Sequence, residues 1–137
     1  MANTKPIGVA YSDQDISGAD TLLSSSKLGY TTAAQGTVTQ ATSKTTAVTL
    51  NKAAGVITTF ATSMLTATNA TFTLNNSLIS ANDTIILTIA SGQATAGSYN
   101  VFSSALAAGT ASITLRNISA GTLSEAVVVN FALIHCD

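Results

Sequence analysis

Charge is what this chain has least of. Only 8% of its 137 residues are charged, against about a quarter in an ordinary soluble domain, so Ser, Thr and Asn must do the solvating. The formal net charge is −1, which leaves no case for counterion release and no expected nucleic-acid partner. A single cysteine, Cys136, excludes an internal disulfide framework and a cysteine-based zinc site. Tryptophan is absent and aromatics make up 5% of the residues, which leaves few platforms on which a sugar could stack. Tyr99 and then Tyr30 are the best of these, and both read more readily as packing residues. No apolar run reaches the ~18 residues of a membrane-spanning helix. Residues 1–6 carry no apolar signal region. The expectation is therefore no membrane partner, and a protein kept in the cytosol of the cell that makes it.

Catalytic constellations are missing too. His135 is the only histidine, and it lies between Ile134 and Cys136 at the chain end, whereas a Ser-His-Asp machine needs it in a cleft beside a carboxylate. Asp13, Asp15 and Asp20 have the spacing that opens a calcium loop, without the glycine and distal glutamate of that motif. From residue 36 onward the only carboxylates before the C-terminal residue are Asp83 and Glu125, both at expected strand ends. No glycine-rich phosphate cradle is present. We expect no enzyme, no cofactor and no bound metal.

What the chain does have is alternation. In residues 111–117, Ile113 and Leu115 point one way and Thr114 and Arg116 the other, the period of a strand with one wet face. Residues 126–134 are apolar on both faces apart from Asn130 and the small Ala132, which predicts a central strand covered on both sides, by its own domain or by a neighbouring subunit. Upstream, strands are expected at 37–39, 47–50, 56–60, 70–75, 84–90 and 98–103, separated by turn signals. Residues 51–55 suit a hairpin, and 61–69 read as a loop or a short helical turn. In 84–90, Ile85, Ile86, Leu87 and Ile89 are all expected to be buried. About eight strands in roughly a hundred residues read as an all-β fold. The expected architecture is a jelly-roll or Greek-key sandwich of antiparallel strands, with an immunoglobulin-like sandwich as the alternative.

Residues 1–35 differ from the rest. They hold the only proline and three of the six acidic residues, and they are too polar to pack alone. We read them as an extended N-terminal arm before a sandwich domain at 36–137. The arm could dock on a partner through Ile7, Val9, Tyr11, Leu22 and Leu23; a frayed terminus is the alternative. Three further residues are candidates for an interface. Arg116, the only arginine, can pair with Glu125 across the intervening loop, either locking that loop at a subunit contact or forming a screened surface pair. Asn130 suits an axial polar contact between subunits or a bonded core position.

Two strings, GTVTQATSKTTAVTLNK at 36–52 and SITLRNISAGTLSEA at 112–126, resemble a β-rich module of structural proteins from tailed bacteriophages and prophages. A third, KPIGVAYSDQDI at 5–16, is similar to the N-terminal opening of virion proteins from phages of marine bacteria and cyanobacteria. The module covers about three-quarters of the chain. The resemblance implies a particle component, first of all a capsid decoration (cement) protein. Such a protein would form a homotrimer, bind the major capsid protein on the outer shell and stabilise the head. A tail fibre or tailspike-associated module in host attachment is the alternative, and a carbohydrate-binding adhesive domain a third. The resemblance supplies no catalytic residues. It places the protein in the virion, assembled in the cytoplasm of a host bacterium.

Overall fold

The computed structural model describes residues 25–136. The arm candidates Ile7, Val9, Tyr11, Leu22 and Leu23 lie outside the described residues. Eight strands follow a single 3-10 turn at Thr32–Ala34: β1 Gln35–Thr39, β2 Val48–Thr49, β3 Ala54–Thr58, β4 Asn69–Asn75, β5 Thr84–Ser91, β6 Tyr99–Ala107, β7 Thr110–Asn117 and β8 Val128–Ile134. They form two four-stranded sheets, the first in the order β1-β3-β8-β5 and the second in the order β2-β4-β7-β6. The all-β sandwich and the strand number thus agree with the sequence reading.

Alternation builds the core between the sheets. Ile57, Phe131 and Leu133 of the first sheet meet Phe72, Leu74 and Ile113 of the second. A smaller cluster of Met64, Tyr99, Leu115, Val127 and Val129 fills one end. Each fully buried large apolar side chain contributes about 1.5–3 kcal/mol, so the core rests on few residues of high value.

The expectation that the strands are antiparallel throughout is corrected: β1 pairs β3 in parallel, and β2 pairs β4 in parallel. Parallel neighbours require a long crossover, and here each crossover is itself a strand of the opposite sheet. After every strand except one the chain changes sheets. The exception is the β6–β7 hairpin, where Ala107 faces Thr110 and Gly109 takes the positive φ of 79° that the tight turn needs.

The hairpin expected around 51–55 is corrected as well. β2 and β3 lie in different sheets, and Leu50 explains why. Its backbone N–H donates to the Asn75 carbonyl at 3.0 Å, while its side chain sits over Gly36 of β1 and Gly55 of β3. A Cβ on Gly36 would lie 2.8 Å from Leu50 Cδ1, and one on Gly55 would lie 2.7 Å from Leu50 Cδ2. The two glycines leave the space in which the chain crosses from one sheet to the other. Residues 61–69 form no helix and are tied down by the Met64–Leu123 bridge.

Candidate functional site

β8 is central in the first sheet, between β3 and β5, but only one of its faces is covered. Val129, Phe131 and Leu133 are buried, while Val128, Asn130, Ala132 and Ile134 look outward. The register places Ala54, Ala132 and Ile86 in one outward row and Val56, Asn130 and Thr88 in the next. Gln35 and Thr37 extend these rows on β1. No outward residue of this sheet is ionisable, and Ile86 and Ile134 are 48% and 50% exposed.

The expectation that Ile86 is buried is therefore corrected. β5 is an edge strand, so Ile85, Leu87 and Ile89 face the core and Ile86 shares the outward parity of Thr84 and Thr88. That parity was readable in the sequence. The alternation of apolar 85, 87 and 89 with Thr84 and Thr88 leaves Ile86 as the outward member.

The chain enters the domain across this same face. The Tyr30 hydroxyl donates to the Leu133 carbonyl, Gln35 Nε2 donates to the Tyr30 carbonyl at 3.0 Å, and Lys52 Nζ donates to the Ala33 carbonyl at 2.9 Å. Two hollows flank Tyr30. One of about 470 Å³ is lined by Leu28, Tyr30, Ile86, Ala132 and Ile134. The other, of about 240 Å³, is lined by Tyr30, Gln35, Ala54, Val56, Asn130 and Phe131. Leu28, 85% exposed, stands at the rim of the larger one. Asn130 is thus an outward residue between Val56 and Thr88 on a charge-free face, and the core alternative for it does not hold.

Arg116 and Glu125 do not meet. Arg116 points outward from the second sheet, whereas the chain after it crosses to the first sheet and turns Glu125 toward the end of the sandwich. There Glu125 accepts from the Tyr99 hydroxyl at 2.8 Å, from Ser124 N–H at 3.0 Å and from Ala94 N–H at 3.4 Å. Hydrogen bonds from backbone N–H groups and from Tyr99 hold its carboxyl below the usual range. Burial, reinforced by the adjacent carboxylate, pushes the Tyr99 phenol up. The ion-pair expectation is corrected: Glu125 braces the 91–97 loop against the chain leading into β8.

Sequence reasoning missed Lys44, which sits among hydroxyl residues and carries no periodic signal. It is buried, with Nζ donating to the carbonyls of Phe60 at 2.7 Å and Glu125 at 2.5 Å. Desolvation lowers its pKa, against the pull of the Glu125 charge. Lys44 ties three connecting segments together at one end. At the opposite end Asp83 Oδ2 lies 2.9 Å from His135 Nδ1, and Asp83 also accepts from the Ser80 hydroxyl and the Cys136 N–H. His135 thus has a carboxylate neighbour after all. The pair fastens residues 135–136 to the turn before β5. The Ser80 hydroxyl bonds Asp83 and not His135, so the order is not that of a Ser-His-Asp triad, in which the imidazole lies between hydroxyl and carboxylate. Among the described residues no group of three or more His, Cys, Asp or Glu side chains is gathered as metal ligands would be. Comparison with protein families, with curated proteins and with solved structures returned no match.

Proposed function

We propose that this protein is a structural component of a bacteriophage virion, and specifically a capsid decoration protein that seats on the major capsid protein as a homotrimer. The observation that carries this reading is the outward face of the first sheet, which is apolar at Ile86, Val128, Ala132 and Ile134 and bears no ionisable residue. Strands are about 4.8 Å apart and rise about 3.3 Å per residue, so a four-stranded sheet some seven residues deep offers roughly 440 Å². A free-standing stable pair needs about 800 Å² per partner. A patch of half that size suits repeated contacts on one shell, where three linked copies gain by avidity what each lacks in affinity. Of the arm read over residues 1–35, Tyr30 and Gln35 lie on this face, and the proposal has the remainder reach a neighbouring capsid subunit.

The test is binding to capsids that lack the protein, read by co-sedimentation and by cryo-electron microscopy of the decorated particle. The expected density lies at true or local three-fold positions of the shell. Replacing Ile86 and Ile134 together by lysine should leave the melting temperature nearly unchanged, because both are half exposed, and should abolish decoration. Bare capsids with the native protein, or full decoration by the double variant, would refute the reading. Density on the tail would instead favour the attachment role. One feature supports that second reading: the 91–97 loop and the chain leading into β8 meet at one end of the sandwich through Glu125, where they could form a tip.

A further inference from the structure

We propose that Arg116 and the hollow it lines form a binding site for a carboxylate-bearing sugar, such as a uronic-acid unit of an acidic polysaccharide. This site lies on the second sheet, so it stands or falls independently of the docking face on the first.

Arg116, one residue before the end of β7, stands in a row across three strands, with Asn69 of β4 on one side and Asn100 of β6 on the other. All three are exposed, and among the described residues no carboxylate pairs with the guanidinium. Beside the row lies a hollow of about 340 Å³ lined by Thr66, Ala67, Arg116, Ile118 and Ser119, within the range of small-molecule sites.

Its walls are held in place before any ligand arrives. Asn117, wholly buried, donates to the carbonyls of Met64 at 2.9 Å and Gly121 at 2.8 Å and accepts from Ser119 N–H at 2.9 Å. Thr66 Oγ1 donates to the Ser119 carbonyl at 2.5 Å, which joins the two loops across the hollow. Ala67 on the same rim has φ of 58°, the left-handed conformation that strains a non-glycine residue and persists where its surroundings impose it. A preset wall loses little entropy when a ligand is ordered against it.

The chemistry selects the ligand. A guanidinium offers a planar fork of donors that matches a carboxylate with two parallel hydrogen bonds. Two flanking amides offer both donors and acceptors, and the Thr66 and Ser119 hydroxyls keep acceptor lone pairs, which suits the vicinal hydroxyls of a sugar ring. Ile118, 53% exposed, and Phe102, 38% exposed in the adjacent row, supply apolar surface for the ring's C–H face. A peptide strand would look for unpaired backbone groups, which on this sheet lie along the outer edge of β6 and not at β7, where Arg116 stands. A nucleic acid would need several cations, and Arg116 is the only ionisable outward residue on β4, β6 and β7.

The experiment is an amide-resonance titration of the full chain with trigalacturonic acid, beside neutral galactotriose and a triglutamate peptide. The acidic trisaccharide should bind and shift the resonances of Arg116, Asn100 and Ser119. Arg116→Gln should weaken binding by about tenfold or more, the value of a charge-assisted pair. Arg116→Lys should fall between, because a point charge remains but the fork is lost. Neither change should move the melting temperature, since the side chain is exposed. The proposal is overturned if no shift occurs at millimolar trisaccharide, or if Arg116→Gln binds as well as the native chain. It is equally overturned if galactotriose binds as tightly, which removes the carboxylate, or if triglutamate binds more tightly, which removes the sugar.

Discussion

Replacing Gly55 by alanine, alone and together with Leu50→Ala, tests the crossover that builds the parallel half of the fold. An alanine Cβ at 55 would sit 2.7 Å from the Gly36 carbonyl oxygen, 2.7 Å from Leu50 Cδ2 and 2.9 Å from Phe131 Cε1. Neighbours must shift to admit it, and overpacking of this kind costs about 1–3 kcal/mol. Leu50→Ala alone should cost about 2 kcal/mol, the low end of the leucine-to-alanine range, because Leu50 keeps part of its surface in water. In the double variant the Leu50 clash is gone, while Gly36 and Phe131 still crowd the new methyl group. Its cost should therefore fall short of the sum of the two single costs by about 1 kcal/mol. Urea unfolding followed by far-ultraviolet circular dichroism measures this, since the chain has no tryptophan to report by fluorescence. Additivity within about 0.5 kcal/mol would refute the reasoning. Leu50 would then not lie over Gly55, and the chain from β2 to β3 would be the tight hairpin that its sequence suggests.

Two further perturbations address the ends of the sandwich. Lys44→Met keeps an aliphatic stem but leaves the carbonyls of Phe60 and Glu125 without their donor, and should destabilise the domain by about 1–3 kcal/mol in urea; an unchanged midpoint would show that water replaces the ammonium. The Ser80 hydroxyl and backbone N–H hold the Asp83 carboxyl down at about 2, below the ordinary aspartate value of about 3.9. A depressed folded-state value means stability that is fully present above about pH 4 and is lost as the pH falls toward 2. Melting temperatures should therefore drop more steeply across that window in the native chain than in Asp83→Asn, and parallel curves would refute the assignment.

Strand parity was legible, and pairing was not. Phe72 and Leu74 against Thr71 and Thr73, or Ile113 and Leu115 against Thr114, announce a face directly because side chains alternate along any strand. Which strand lies beside which depends on long-range contacts that leave no local trace. Leu50 fits over Gly36 and Gly55 only because β1 and β3 have already come together, so a five-residue connector rich in turn formers looked like a hairpin. Arg116 and Glu125 were matched for the same reason. Their sequence separation suited a loop closed by an ion pair, but the loop changes sheets and turns the two side chains apart. Lys44 shows the reverse case, a charge whose burial depends entirely on two carbonyl oxygens contributed from residues 60 and 125. Asn130 could be read from alternation as standing opposite in facing to Val129 and Phe131, but not which face the rest of the domain would cover.

The two outward faces solve the shortage of charge differently, and the difference is the ground for proposing the assembly contact on the first sheet. On the second sheet the hydroxyls serve one another: Thr71 and Thr114 are joined Oγ1 to Oγ1 at 2.8 Å, and Thr114 donates on to Ser104 at 3.3 Å. Such a surface stays wet at little cost. The first sheet has no such ladder at Ile86, Ala132 and Ile134. Burying a large apolar side chain completely contributes about 1.5–3 kcal/mol, and Ile86 and Ile134 are about half exposed. Covering the pair therefore gains about 1.5–3 kcal/mol per subunit, which is roughly ten- to hundredfold in affinity. Under the proposed capsid role, that is weak for one copy and substantial for three linked copies on a repeating shell, where each engaged subunit would raise the effective concentration of the next. If the proposed trimer forms, the lysine pair at 86 and 134 should reduce decoration far more than the loss measured for one subunit, and an equal loss would refute the avidity argument.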